Sequence, residues 1–185
     1  MIKTKYKMPS LNFETLKEII SYSDKELQNY KTFIETGTHL GETIVPMSNF
    51  FDELHTIELS ELYYQHFSKQ EYNTKKIKSY LGDSSKLLPE ILTTIDSDSI
   101  FFLDGHYSSD QTAKGEKDVP LIEEISAINH LFKNSGIIII DDLRLFGTNL
   151  TEDWSQISKD SVLKPIKDRV IKSFEHEDRF IIVFS

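Results

Sequence analysis

The chain has 185 residues, a length that fits one core and one principal site. Its hydrophobic share of 38% supplies enough apolar surface for a packed interior, and its charged residues are spread rather than blocked, which argues against wholesale disorder. A formal net charge of −9 with no basic stripe disfavours nucleic acid as substrate or partner, and the absence of cysteine excludes disulfides, thiolate ligands and a thiol nucleophile.

The opening residues MIKTKYKMPS lack the apolar stretch of a signal peptide, and no apolar run approaches the roughly 20 residues that span a membrane. A cytoplasmic protein with no membrane partner is therefore expected. After Pro9 and Ser10, Leu11, Leu16, Ile19 and Ile20 recur at roughly helical spacing, so a leading helix packs on the sheet that follows. Short β-rich runs then alternate with helix-length segments. The strands are KTFIET, ELHTIEL, KIKSYLGD, SIFFLDG and GIIIIDD, and the helices cover 42–51, 60–72, 84–95 and 120–132. Ser60 and Ser84 are placed as N-caps, and Pro120 suits a first helical turn. A polar stretch over 148–159 leads to a last helix, and RVIKSFEHEDRFIIVFS reads as two strands turning at 176–178. This alternation predicts parallel strands joined by right-handed crossovers, closed by an antiparallel hairpin. The expected organisation is one domain over 1–185: helical cover to 31, a ligand-binding and catalytic core over 32–146, and a C-terminal helix and hairpin over 147–185.

In open parallel sheets, ligands bind outside the carboxyl ends of the strands, and here those ends are acidic. The first strand runs into Glu35, then Gly37 and Gly41, where glycine allows a tight turn and close backbone approach. This departs from the dinucleotide pattern G-x-G-x-x-G, since Glu35 puts a carboxylate where a pyrophosphate would sit. A ligand carrying an ammonium and a sulfonium suits it better; the alternative is an ordinary strand-to-helix turn. The second strand ends at Glu58, about 20 residues after Glu35, a spacing at which a carboxylate meets ribose hydroxyls. A helix-dipole role is the competing reading of Glu58. The third strand ends at Asp83 and Ser84, which can bond an adenine edge, cap the next helix, or both.

FIETGTHLGET, HTIEL, YLGDS and IFFLDGHY together resemble successive motifs of class I S-adenosylmethionine-dependent methyltransferases over roughly 33–146. The resemblance implies a doubly wound, mostly parallel seven-stranded Rossmann-like α/β sheet of order 3-2-1-4-5-7-6. It implies S-adenosyl-L-methionine as cofactor, with Glu35, Gly37, Thr38 and Gly41 at its methionine and ribose end, Glu58 on the ribose, and Asp83 and Ser84 near adenine.

Two further strands bury continuous apolar runs that stop at Asp104 and at Asp141 with Asp142. If these strands are neighbours, about 4.8 Å apart, their carboxylates repel unless a cation sits between them. All-oxygen ligation favours Mg2+, with Ca2+ or Mn2+ as alternatives, and such an ion would orient a hydroxyl and lower its pKa. A metal-free site, with Asp104 on substrate and the Asp pair capping a turn, is the alternative. The pattern resembles the cation-dependent O-methyltransferases of catechol and macrocin type, which implies metal ligation by Asp104, Asp141 and Asp142. His106 shares the Asp104 side of the strand end by alternation and is the general-base candidate beside a catalytic Asp104. Macrocin-type relatives are usually acidic at that place, so this histidine is a departure, and substrate binding alone is its alternative role.

Residues 107–119 are polar and form either a substrate lid or a plain surface loop, His39 sits within cofactor reach, and Arg144 and Phe146 border the acceptor pocket. DGHY replaces the Asn/Asp-Pro-Pro-Tyr pocket of base methyltransferases. The expected activity is metal-assisted O-methylation of a small hydroxylated acceptor such as a sugar. A homodimer is one way of completing a site with little cover of its own. The alternatives are a catalytically idle S-adenosylmethionine-binding partner module and, opposed by Glu35, a nicotinamide-dependent oxidoreductase.

Overall fold

The computed structural model describes residues 10–70, 76–106, 119–150 and 152–185. The leading helix α1 (Phe13–Ser21) starts where the Asn12 side chain accepts the Thr15 backbone N–H at 3.0 Å, and it turns Leu16, Ile19 and Ile20 inward. The chain then alternates through β1 (Thr32–Thr36), α2 (Ile44–Met47), β2 (Glu53–Glu58), α3 (Glu61–Ser68), β3 (Ile77–Leu81), α4 (Ser84–Leu92), β4 (Ser99–Leu103), α5 (Leu121–Leu131) and β5 (Gly136–Ile140). A short α6 (Lys159–Leu163) precedes the hairpin of β6 (Val170–His176) and β7 (Arg179–Phe184).

The seven strands lie in the order β3-β2-β1-β4-β5-β7-β6. β1 to β5 are parallel, while β7 runs antiparallel to both β5 and β6. Both the strand order and the closing hairpin agree with the expectation. Every residue of β1, β4, β5 and β7 is buried, which is why these strands read as continuous apolar runs: helices cover both faces. Alternation divides the core. Ile34, Ile57, Phe101, Leu103, Ile138 and Ile140 pack on the α4, α5 and α6 side. Phe33, Leu54, Ile100, Phe102, Ile137 and Ile139 pack on the side of α1, α2 and α3. Burial of each such side chain contributes about 1.5–3 kcal/mol.

The helix expected over 42–51 is shorter. After α2, Ser48 Oγ bonds the Val45 carbonyl at 2.6 Å and Asn49 Nδ2 the Pro46 carbonyl at 3.2 Å, so side chains close the helix and release the chain toward β2. The helix α4 is capped by Asp83 rather than Ser84, and Pro120 stands at the cap of α5 rather than inside it. Among the described residues no helix is long and apolar enough to cross a membrane. Strand order reverses at β1, with β2 on one side and β4 on the other, which opens the crevice at their carboxyl ends.

Candidate active site

β1 delivers Glu35, 1% exposed, to the floor of that crevice. Its carboxylate accepts a hydrogen bond from Thr56 Oγ1 at 2.7 Å, and Thr56 Oγ1 lies 2.6 Å from Thr38 Oγ1. Burial first, and then the charges of Asp104 and Glu58, push the Glu35 carboxyl well above its ordinary value. Among the described residues no ion pair reaches it.

The turn after β1 is built for close approach. Gly37 has φ +87°, and a Cβ there would stand 2.5 Å from the Asp104 carbonyl oxygen, so only glycine lets the β1 and β4 ends come together. His39 is also left-handed, φ 47°, with its ring 4.5 Å from that of Tyr63. Its backbone N–H donates to Glu58 Oε2 at 2.8 Å, while Glu58 Oε1 accepts the Ser60 N–H at 2.7 Å. Glu58 thus ties the glycine turn to the start of α3, and each oxygen retains a second lone pair for a hydroxyl. Asp83 caps α4 through Ser85, its Oδ1 accepting the backbone N–H at 2.9 Å and the hydroxyl at 2.6 Å.

Ser84 points inward to a residue that motif reading overlooked. Glu124, in the first turn of α5, is 1% exposed, and its carboxyl meets the hydroxyls of Ser84 and Thr36. Among the described residues one oxygen, Oε1, has no hydrogen-bond partner. Burial, the largest cause, pushes this carboxyl up to about 7. A signal existed: Leu121, Glu124, Ile125 and Ile128 follow the i, i+3, i+4, i+7 spacing of a buried face, on which an acid stands out.

At the other end of the crevice the β4 and β5 ends meet in register, Leu103 beside Ile140. Here the three expected metal acids separate. Asp104 and Asp142 converge on His106, whose Nε2 lies 3.3 Å from Asp104 Oδ1 and 2.9 Å from Asp142 Oδ2. One donor atom from each of these three residues falls within 4.8 Å of the others, close enough for one ion. Asp141 turns instead to Arg179 on β7, a guanidinium 1% exposed, with Arg179 Nε 3.1 Å from Asp141 Oδ1. Burial and then Asp104 raise the Asp141 carboxyl above its ordinary value, against the pull of Arg179. Asp142 has a left-handed backbone, φ 59°, which an aspartate tolerates. Burial works to raise its carboxyl, but the hydrogen bond and charge of His106, with Arg144, hold it below the usual carboxylate range.

His106 also lies within ion-pair range of a second overlooked acid: its Nδ1 is 3.5 Å from Glu152 Oε2. Burial works to lower the imidazole, but Asp104, Asp142 and Glu152 outweigh it and hold the ring well above its ordinary value. To serve as base or as ligand, the ring must present an unprotonated nitrogen. Arg144, expected at the acceptor pocket, pairs with Asp142 and Asp178; Phe146 stacks on Trp154 at 5.9 Å. The lid expected over 107–119 lies outside the described residues except for Val119, which is buried.

No family model matches the chain, and no curated protein matches it. Solved structures do. SAH-bound methyltransferase PaMTH1 of Podospora anserina aligns with TM-score 0.61 at 16% identity, over 95% of this chain and 80% of that one. An S-adenosylmethionine-dependent methyltransferase from Clostridium acetobutylicum aligns with TM-score 0.55 at 10% identity, over 94% of this chain and 92% of that one. A candidate O-methyltransferase from Klebsiella pneumoniae gives 0.57 at 12%, over 95% and 81%. The chain therefore has the class I methyltransferase fold.

Proposed function

We propose that this protein is an S-adenosylmethionine-dependent methyltransferase that methylates a hydroxyl of a small acceptor such as a sugar, assisted by a divalent cation. The observation that carries the reading is Glu35: a buried carboxyl that no ion pair reaches among the described residues, closing the central strand directly before the glycine turn. Such a site repels a pyrophosphate and favours a ligand with positive charge at that end. This speaks for S-adenosylmethionine over a nicotinamide dinucleotide.

The residues fit that ligand along the whole crevice. Glu35 and the Gly37 turn would receive the methionine end, Glu58 the ribose hydroxyls through its free lone pairs, and the Asp83 and Ser84 corner the adenine. When bound, the cofactor supplies an electrophilic methyl group. The donor set at the β4 and β5 ends also fits a cation, with Asp104, His106 and Asp142 as the residues that would hold it. A cation bound there would lower the pKa of an acceptor hydroxyl. The chain's own part is to fix the acceptor oxygen in line with the methyl, and to keep Asp141 out of the ligand set through Arg179.

The test is calorimetric titration with S-adenosylhomocysteine, with NAD as competitor, followed by transfer of labelled methyl to a panel of sugars and polyols with and without a chelator. Expected are binding that NAD does not displace and chelator-sensitive transfer. Failure to bind S-adenosylhomocysteine overturns the reading, whereas binding without transfer to any acceptor favours an idle partner module.

A further inference from the structure

The segment following β5 contributes two side chains to the cation corner that neither the strand ends nor the acceptor reading uses. Trp154, 2% exposed, donates its Nε1–H to Glu152 Oε2 at 2.9 Å. The same oxygen faces His106 Nδ1 at 3.5 Å, and the indole packs edge-on to the imidazole with ring centres 5.0 Å apart. Glu152 is itself buried, and the Trp154 indole holds its Oε2. The imidazole is thus gripped on its Nδ1 side and on one flank, which leaves Nε2 directed between Asp104 and Asp142.

We propose that Glu152 is the positioning residue that makes His106 Nε2 a nitrogen donor beside Asp104 and Asp142, giving a mixed imidazole and carboxylate site that selects a first-row transition-metal ion over Mg2+. This rests on the cation-assisted reading above and specifies its metal. A neutral imidazole carries one N–H, and a carboxylate at Nδ1 can only accept it, so the Nε2 lone pair faces the two aspartates. Once Nε2 carries no proton, its lone pair and the two carboxylates 3.3 and 2.9 Å away repel one another unless a cation lies between them. Carboxylate, histidine and metal in that sequence form the usual outer support of a ligating imidazole, and removing the outer carboxylate weakens binding about 10- to 100-fold. Imidazole nitrogen suits transition ions, whereas Mg2+ takes oxygen donors and retains water. Had Asp141 completed the set, it would have been all oxygen; the Arg179 pairing removes that choice.

The experiment titrates the chelator-treated full-length protein with Co2+, following its visible absorption, and repeats the titration with Mg2+ as competitor. The expected result is Co2+ bound at least about tenfold more tightly than Mg2+. His106→Asn, which replaces the nitrogen donor by oxygen, brings the two affinities within about threefold and shifts the Co2+ band while Mg2+ binding persists. Glu152→Gln keeps the ligands yet weakens Co2+ about tenfold or more with little change for Mg2+. This second variant carries the test should His106→Asn fail to fold. Equal affinities for the two ions, or unchanged Co2+ binding in Glu152→Gln, overturn the proposal. If in addition Mg2+ supports methyl transfer, the cation-assisted reading survives that result. Absence of binding by either ion at millimolar concentration, with transfer persisting in chelator, overturns both.

Discussion

Replacing Glu124 by glutamine tests whether the acid behind Ser84 is held neutral by its surroundings. The unfolded carboxyl ionises near 4.5 and the folded one near 7. Between those values the folded protein keeps a proton that the unfolded chain has released, so stability falls as pH rises through that window and the loss is complete above about pH 7. The displacement converts to about 3 kcal/mol, or about 6–12 °C in melting temperature for a chain of this size. Glutamine has the shape of the neutral acid and cannot ionise. Urea unfolding of both proteins at pH 5 and pH 8 isolates the effect, because every other titrating group is common to the pair. Glu124→Gln is expected to match the parent within about 1 kcal/mol at pH 5 and to exceed it by about 3 kcal/mol at pH 8. Stability curves that run parallel between those pH values would refute the assignment of a neutral, buried carboxyl in contact with Ser84 and Thr36.

Gly37→Ala forces a Cβ against the Asp104 carbonyl at a positive φ, and chemical denaturation should show a loss of about 1–3 kcal/mol together with lost S-adenosylhomocysteine binding by calorimetry. Glu58→Ala removes the acceptor that joins the His39 and Ser60 amides as well as the proposed ribose contact, so the same titration should weaken by about 10-fold or more. Arg179→Met leaves Asp141 buried without its counterion and should lower unfolding free energy by about 3–5 kcal/mol, whereas the double change Arg179→Met with Asp141→Asn should recover much of it. Chelator is expected to abolish methyl transfer while S-adenosylhomocysteine binding is retained, because the cation corner and the Glu35, Glu58 and Asp83 pocket use different side chains; loss of both together would speak against that division.

Much of this architecture was legible because the interactions that build it are periodic and local. Strands buried on both faces must be apolar throughout, so SIFFL and GIIII announce themselves, and the Leu16, Ile19, Ile20 stripe marks a helix that covers them. Gly37 and Glu35 were legible for a similar reason: a tight turn and a strand-end acid are one- or two-residue features. The Glu124 acid was written in its helix spacing but carries no motif. Glu152 and Trp154 had no pattern to betray them, since they lie near the isolated bridge between Asn149 and Asp153 rather than on a periodic element.

The residues alone therefore determined the sheet, its acidic rim and the residue types available for a ligand there. Only the folded chain decided which of the acids act together. β7 arrives beside β5 from nearly forty residues away in the chain and sets Arg179 against Asp141, while the left-handed turn at Asp142 aims the next carboxylate at His106. The reason is physical: hydrogen-bonding period and burial are encoded by near neighbours, whereas the pairing of charges depends on which distant strand delivers a counterion into the same few ångströms.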